Sequence, residues 1–190
     1  MPWKNGGGVT QEVLSEPADA GVGDFGWRLS LAELTRSGPF STFPGVDRTI
    51  VLLEGNGVTV TVGGVAHPLR RWEPLQFSGD CPASARVAEG PTRDLNVMTR
   101  RSRVTARTAV TRIEGHTPLH IHRQEVVVLV VLAGPLTVSG TNDDDNELAN
   151  LDSCRVSGEG IIDVRGTGTL ALVRLQDTDV SASPTGNFLD

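Results

Sequence analysis

The chain has 190 residues, of which 38% are hydrophobic and 21% charged, and its net charge is −6. This length and composition indicate a globular protein with one large domain or two small ones. The acidic balance excludes nucleic acid and anionic membrane surfaces as expected partners. The sequence has neither an apolar run of membrane-spanning length nor the apolar core of a signal peptide, so we expect a soluble, cytoplasmic protein.

Short β-branched runs separated by turn residues predict an all-β fold. The chain contains 22 glycines and 11 prolines, and candidate strands recur roughly every 8–12 residues, as in antiparallel sandwiches and barrels. An Asn-Gly turn between Thr49–Leu53 and Val58–Val62 predicts a hairpin, and Gly63–Gly64 predicts a second turn into Val65–Leu69. The same rhythm recurs around the apolar run Val126–Leu132. We therefore predict two packed barrels, residues 1–108 and 109–180, followed by a tail, 181–190.

The loop Pro39–Arg48 is the most informative stretch of the first half. It contains a Pro-Gly turn, an Asp-Arg pair and two aromatic residues, Phe40 and Phe43. Two phenyl rings are costly to leave in water. We therefore expect the loop to fold back on the body of the protein and to hold three polar side chains in place: Ser41, Asp47 and Arg48.

The run Phe25–Leu34 alternates as a strand does. One face carries Trp27, Leu29 and Leu31, and the other carries Arg28, Ser30 and Ala32. The alternation does not say which face points into the barrel. If the barrel holds a ligand, the face with Arg28 and Ser30 lines it.

A second alternating run, Pro91–Met98, places Asp94, Asn96 and Met98 on one face. An unpaired buried polar group costs on the order of 1–3 kcal/mol. Asp94 and Asn96 are therefore either outward and solvated, or inward and functional. The residues alone leave both alternatives open.

Three consecutive glycines follow Lys4 and Asn5 near the start of the sequence. A glycine run at a terminus is often a loose tail. A glycine run between packed elements lets the backbone pass close to a ligand. Trp3 before the run and a candidate strand after it keep the second interpretation open, with Lys4 and Asn5 near the ligand.

The sequence contains a few residue types that can bind a metal ion. Cys81 and Cys154 are too few for a disulfide framework or a thiolate zinc site, and we expect both to be reduced. His120 and His122 share a strand face, and Glu125 follows. Two imidazoles and a carboxylate can hold a divalent transition metal. The alternative is a polar surface strand, which we favour, so we expect no cofactor.

Four stretches together resemble the HutD/Ves family of bacterial proteins in order and spacing: Met1–Gly8, Trp27–Ser30, Pro39–Arg48 and Asp94–Met98. The resemblance implies a double cupin, that is, two antiparallel β-barrels or jelly-roll-like sandwiches in one chain. It also implies a non-catalytic protein that modulates histidine utilisation by binding an anionic pathway metabolite, such as urocanate or formylglutamate. The alternative is a cupin-type metalloenzyme that uses His120, His122 and Glu125. A third possibility is a structural role through paired sheets, and a homodimer is compatible with the family.

The pocket implied by the resemblance lies in the N-terminal barrel. Gln11 stands where family members usually have arginine, so the ligand of this protein can differ from theirs. Family members also carry a segment before the Trp-Lys-Asn motif, so either the native start lies upstream of Met1 or the first barrel lacks an edge strand. Carried over residue by residue, the implied ligand-binding set is Lys4, Asn5, Arg28, Ser41, Phe43, Arg48, Phe77, Asp94 and Asn96, with no catalytic residue.

Overall fold

The structure, a computed structural model, describes residues 8–21, 23–140 and 144–178. These residues form fifteen strands and no helix, which confirms the all-β prediction, and none of them belongs to a helix able to cross a membrane. The strands are β1 (Gly8–Glu16), β2 (Trp27–Leu34), β3 (Gly38–Pro39), β4 (Val46–Glu54), β5 (Val58–Val62), β6 (Val65–Leu69), β7 (Pro74–Ser78), β8 (Ala83–Val87), β9 (Thr92–Arg100), β10 (Val104–Ile121), β11 (Glu125–Ala133), β12 (Leu136–Ser139), β13 (Asp145–Leu148), β14 (Ser153–Ser157) and β15 (Gly160–Asp177).

The strands form three antiparallel sheets. A five-stranded sheet has the order β1-β2-β9-β4-β7, and a four-stranded sheet has the order β3-β8-β5-β6. These two sheets face each other and enclose an apolar cluster that includes Ile50, Leu52, Val60 and Ala85. They form the first barrel.

The third sheet forms the second barrel. Its order is β13-β12-β15-β11-β14, and the 18-residue strand β10 pairs with β15 along its full length. Together β10 to β13 and β15 curl around a cluster that includes Ile113, Leu129, Leu136 and Leu170. The predicted domain boundary at residue 108 falls inside β10, and the division into two domains stays a prediction.

The two barrels share an apolar interface. Trp27 and Leu29 of β2 and Leu95 of β9 pack in one cluster with Val128 of β11 and Val173 of β15. Successive residues of a strand point to opposite faces. The other face of β2, with Arg28 and Ser30, therefore points into the first barrel, which settles the orientation that the sequence left open.

The chain changes sheets at the Asn-Gly turn. β4 pairs with β7 and β9, whereas β5 pairs with β6 and β8, so the hairpin predicted between them is wrong. Gly55 has φ +118°, and a Cβ there would lie 2.4 Å from Cγ2 of Thr92. The turn thus combines a positive φ with close packing under β9, and it directs the chain to the facing sheet. The second predicted turn is a true hairpin, since Val62 pairs with Val65 across Gly63–Gly64.

Candidate functional site

Polar side chains line the first barrel on the inner face of its five-stranded sheet. Asn96 of β9 lies opposite Ser30 of β2 and Ile50 of β4, and Asp94 lies opposite Leu52. Residues paired across strands share a face, and Ile50 and Leu52 belong to the apolar cluster inside this barrel. Asp94 and Asn96 are therefore inward and buried, so the solvated alternative is wrong.

Arg48 lies at the centre of this inner face. Its side chain is only 6% exposed, and its Nη2 donates a hydrogen bond to Oδ1 of Asn96 at 3.3 Å. The guanidinium carbon lies 5.1, 5.4 and 5.2 Å from the ring centroids of Phe40, Phe43 and Phe77. A cation over a phenyl ring is stabilised by about 0.5–2 kcal/mol. Three rings thus help to hold a charge that has left water.

The Arg48 guanidinium retains unused hydrogen-bonding capacity. Its Nε has no hydrogen-bond partner among the described residues. Burial lowers the pKa of Arg48 from 12.5 to about 10, and the charge of Asp94 partly opposes that fall. The group is still a cation at neutral pH, because its pKa remains well above 7. It is a buried positive charge with a free donor, which is the arrangement that carboxylates bind.

Backbone hydrogen bonds hold the loop that carries two of the three rings. The N–H of Phe40 donates to the carbonyl of Ala83 at 2.9 Å, and the N–H of Phe43 donates to the carbonyl of Gly79 at 2.8 Å. Gly79 in turn donates to the carbonyl of Val46 at 2.7 Å. The loop is therefore folded back on the barrel, as the sequence predicted.

An exposed arginine braces the same loop from outside. Nη2 of Arg101 lies 2.7 Å from Oδ1 of Asp47 and 2.9 Å from Oδ2 of Asp80. The backbone N–H of Gly45 donates to Oδ1 of Asp80 at 2.8 Å. Hydrogen bonds, first of all the one from Ser78, hold the pKa of Asp80 well below its ordinary value. These contacts connect the loop to the ends of β7 and β9.

Asp94 is the second ionisable group of the inner face. It is 5% exposed, and burial raises its pKa from 3.8 to about 7, although the charge of Arg48 acts in the opposite direction. Among the described residues, no cationic nitrogen lies within 4.0 Å of the Asp94 carboxylate oxygens, the longest distance that counts as an ion pair. The carboxyl group is thus poised between its neutral and ionised forms near neutral pH.

Arg28 is already paired. Its Nε donates to Oε2 of Glu12 at 2.7 Å, and Ser15 donates to the other oxygen of Glu12 at 2.9 Å. Burial acts to raise the pKa of Glu12, but the hydrogen bonds and the charge of Arg28 together hold it below the ordinary value. Ser30, two residues further along β2, is fully buried, and its Oγ has no hydrogen-bond partner among the described residues.

The structure brings together part of the implied ligand-binding set. Arg48, Phe43, Phe77 and Asn96 are in direct contact, and Asp94 shares their face. Ser41 is exposed on the loop between β3 and β4. Lys4 and Asn5 lie outside the described residues.

Sequence reasoning left two residues, Phe40 and Glu12, out of the set. Phe40 packs on Arg48 as closely as Phe43 does. Both rings lie in the aromatic loop, Pro39–Arg48, and that shared position could have placed Phe40 in the set. Glu12 pairs with Arg28 across neighbouring strands. Nothing local in the sequence indicates that ion pair, because it depends on the register of β1 against β2.

The alternative metal site is not assembled. His120 and His122 are exposed, and Oε2 of Glu125 accepts hydrogen bonds from Arg174 at 2.8 Å and from the backbone N–H of His122 at 3.1 Å. Across residues 8–21, 23–140 and 144–178 no cluster of three or more His, Cys, Asp or Glu side chains could hold a metal ion. The Glu125 carboxylate serves an ion pair with Arg174 instead.

The chain is similar to known bacterial proteins. The family model described as HutD matches residues 1–173. An uncharacterised 21.2 kDa protein in the hutC 3' region of Pseudomonas putida is 33% identical over 177 residues, which cover 92% of this chain and 91% of that protein. Protein Ves of Citrobacter koseri is 44% identical over 110 residues, which cover 57% of this chain and 56% of Ves.

Solved structures give the same family and the same fold. The structure of HutD from Pseudomonas fluorescens has a TM-score of 0.78 at 36% identity and covers 93% of this chain, with 92% of its own length covered. A cupin barrel protein from Leptotrichia buccalis, only 11% identical, has a TM-score of 0.61 over 90% of this chain and 88% of its own. The second likeness confirms the double-cupin fold. With a matching family model and similar relatives that span nearly its full length, the chain belongs to the HutD family, which is associated with histidine utilisation.

Proposed function

We propose that this protein binds a small anionic metabolite of histidine utilisation inside its first barrel and does so without turnover. The association of the HutD family with histidine utilisation supports the choice of pathway. Urocanate and formylglutamate are the ligands that we favour, because each carries a carboxylate. A cytoplasmic location and a homodimeric state stay predictions from the sequence.

The observation that carries the proposal is the buried guanidinium of Arg48. A buried cation without a carboxylate partner is strongly disfavoured unless something compensates it. Arg48 has a hydrogen bond to Asn96 and three phenyl rings around it, yet its Nε has no hydrogen-bond partner among the described residues. A ligand carboxylate would provide both the missing acceptor and the missing negative charge.

The surroundings of Arg48 suit a small ligand with one apolar part. Phe43 and Phe77 offer an apolar wall, and the buried hydroxyl of Ser30 offers a further hydrogen bond on the same face. Ligand sites of this kind are mostly apolar and fix the ligand by a few polar groups. The conjugated chain of urocanate and the methylene chain of formylglutamate both fit that description.

A thermal-shift experiment on untagged protein tests the proposal. The panel contains histidine, urocanate, formylglutamate and glutamate. A ligand at about 100 times its Kd stabilises a protein of this size by about 5–10 °C. We expect a rise of that order with urocanate or formylglutamate, and unchanged ligand after prolonged incubation, as followed by NMR.

Two arginine variants sharpen the thermal-shift experiment. Arg48→Met removes the buried cation and should abolish the ligand-dependent rise. Arg100→Met is the matched control, because Arg100 also lies over a phenyl ring, that of Phe25, at 5.7 Å, but its donors are used by backbone carbonyls. A ligand that stabilises Arg48→Met as much as the wild type, or a ligand that is consumed, contradicts the proposal.

A further inference from the structure

The inner face of the first barrel carries one more acid than a simple anion site needs. Asp94 is buried on the face that also holds Arg48 and Asn96. Nη2 of Arg48 contacts Asn96, and Asp94 lies two residues before Asn96 on the same strand, a backbone separation of about 7 Å. An anion bound at Arg48 would therefore lie near a second carboxyl group in a poorly solvated interior.

We infer that a ligand carboxylate enters this site together with a proton, and that Asp94 carries that proton in the complex. The inference rests on the proposed function and adds a property that binding alone does not require. It makes Asp94 a specificity-determining residue. In its neutral form the side chain tolerates the anion and offers an O–H donor, and in its ionised form it repels the anion.

The charges of the inner face favour proton uptake. Arg28 and Glu12 neutralise each other at 2.7 Å. Arg48, the other cation of this face, forms no ion pair with a described residue. A single cation cannot fully compensate both an ionised Asp94 and a bound carboxylate. The backbone spacing between Asp94 and the Asn96 that Arg48 contacts, about 7 Å, serves as the charge separation for an estimate. In an interior with an effective dielectric constant of about 20, a negative charge at that separation would strengthen proton binding by Asp94 roughly 50-fold.

The other groups that face Asp94 do not replace this effect. On the facing sheet the inner residues of β5 and β8 are apolar or alanine. His67 of β6 lies opposite Val60 and so shares the inner face, half-buried. Imidazoles as a class change charge near neutral pH. His67 is therefore the residue to control for in any pH titration of binding.

The raised pKa of Asp94, about 7, gives the pH range in which the coupling is measurable. Below that pKa the free site is already protonated, so affinity does not depend on pH. Above it the ligand must bring a proton, and affinity falls. We expect affinity on the order of tenfold weaker at about pH 8.5 than at about pH 6.

Isothermal titration calorimetry with formylglutamate tests the inference, because carboxylates are its titratable groups and its own charge is constant over this range. At about pH 8, titrations in two buffers of different ionisation enthalpy should report uptake of a sizeable fraction of one proton per ligand bound. Urocanate serves as the second probe, with each variant compared with the wild type at equal pH.

Two variants identify the group that takes up the proton. Asp94→Asn keeps a neutral, hydrogen-bonding side chain of the same shape, and it should remove the pH dependence and the proton uptake. His67→Gln should retain both. Binding without proton uptake by the wild type, or uptake that persists in Asp94→Asn, overturns the inference and leaves the proposed function standing. Failure of both probes to bind at any pH overturns the proposed function and the inference with it.

Discussion

Both barrels are antiparallel, but they differ in what they bury. The second barrel encloses a cluster of apolar side chains, among them Ile113, Leu129 and Leu170. On the inner face of the first barrel, two charged residues, Arg48 and Asp94, are buried among the apolar side chains. Apolar burial stabilises by about 1.5–3 kcal/mol per large side chain, whereas buried charges are unfavourable without partners. The difference indicates that the second barrel chiefly stabilises the chain, and that the first contains polar groups that lower stability, as the proposed ligand site requires.

The largest effect should come from the second barrel. Leu129→Ala removes a side chain that is 0% exposed and leaves a cavity, so we expect the free energy of unfolding to fall by about 3–5 kcal/mol. Urea unfolding measures the loss. The matched control is Ile161→Ala, since Ile161 is 50% exposed. A loss for Leu129→Ala no larger than the control's would contradict a purely stabilising core.

Replacing Asp94, the buried acid of the first barrel, should raise the free energy of unfolding rather than lower it. The folded-state pKa of Asp94 is raised from 3.8 to about 7, so its ionised form destabilises the fold. That penalty is absent below about pH 4, grows as pH rises, and is constant above about pH 7. Asp94→Asn should therefore stabilise the ligand-free protein at pH 8 by up to about 4 kcal/mol and change little at pH 4. Denaturant unfolding at both pH values checks this, and equal effects at the two would refute it.

A side chain at Gly79, beneath the loop that carries Phe40 and Phe43, should weaken ligand binding as well as the fold. A Cβ at Gly79 would lie 2.7 Å from the carbonyl oxygen of Phe43 and 2.8 Å from that of Val46. Neither backbone atom can swing aside, so Gly79→Ala should displace the loop, cost about 1–3 kcal/mol and weaken ligand binding. Gly38→Ala, where a Cβ would meet nothing within 4 Å, is the control. Unchanged calorimetric affinity in Gly79→Ala would mean that Phe43 is not part of the site.

The smallest stability effect should come from the central residue of the site. The fall of the Arg48 pKa from 12.5 to about 10 corresponds to about 3 kcal/mol against the buried charge. Cation–π contacts with three phenyl rings stabilise that charge by about 2–6 kcal/mol. These contributions offset each other, so Arg48→Met should change the free energy of unfolding by less than about 2 kcal/mol. A loss above that value in urea unfolding would mean that Arg48 is chiefly structural.

The sequence predicted the strands better than their partners. Strict alternation located β2 and β9, because side-chain period is a local property. The Asn-Gly turn after β4 looked like a hairpin, and the structure instead uses it to change sheets. Sheet membership depends on packing across the barrel, here Gly55 against Thr92, and no local pattern records it.

The candidate site shows the same difference between what local sequence indicates and what long-range pairing decides. The aromatic loop and Arg48 could be found from composition, since two phenyl rings beside an Asp-Arg pair demand burial. The inward direction of Asp94 and Asn96 followed only from the register of β9 between β2 and β4. The pairing of Arg28 with Glu12, which leaves Arg48 as the cation for the proposed ligand, is a long-range contact of the same kind.

The assignment of the site can be decided by a crystal structure of the complex with formylglutamate or urocanate. We expect one ligand per chain inside the first barrel, with a carboxylate oxygen about 2.7–2.9 Å from Nε of Arg48 and the three phenyl rings still around the guanidinium. A ligand bound elsewhere, with that nitrogen still without a partner, would contradict the assignment of the site to the polar interior of the first barrel.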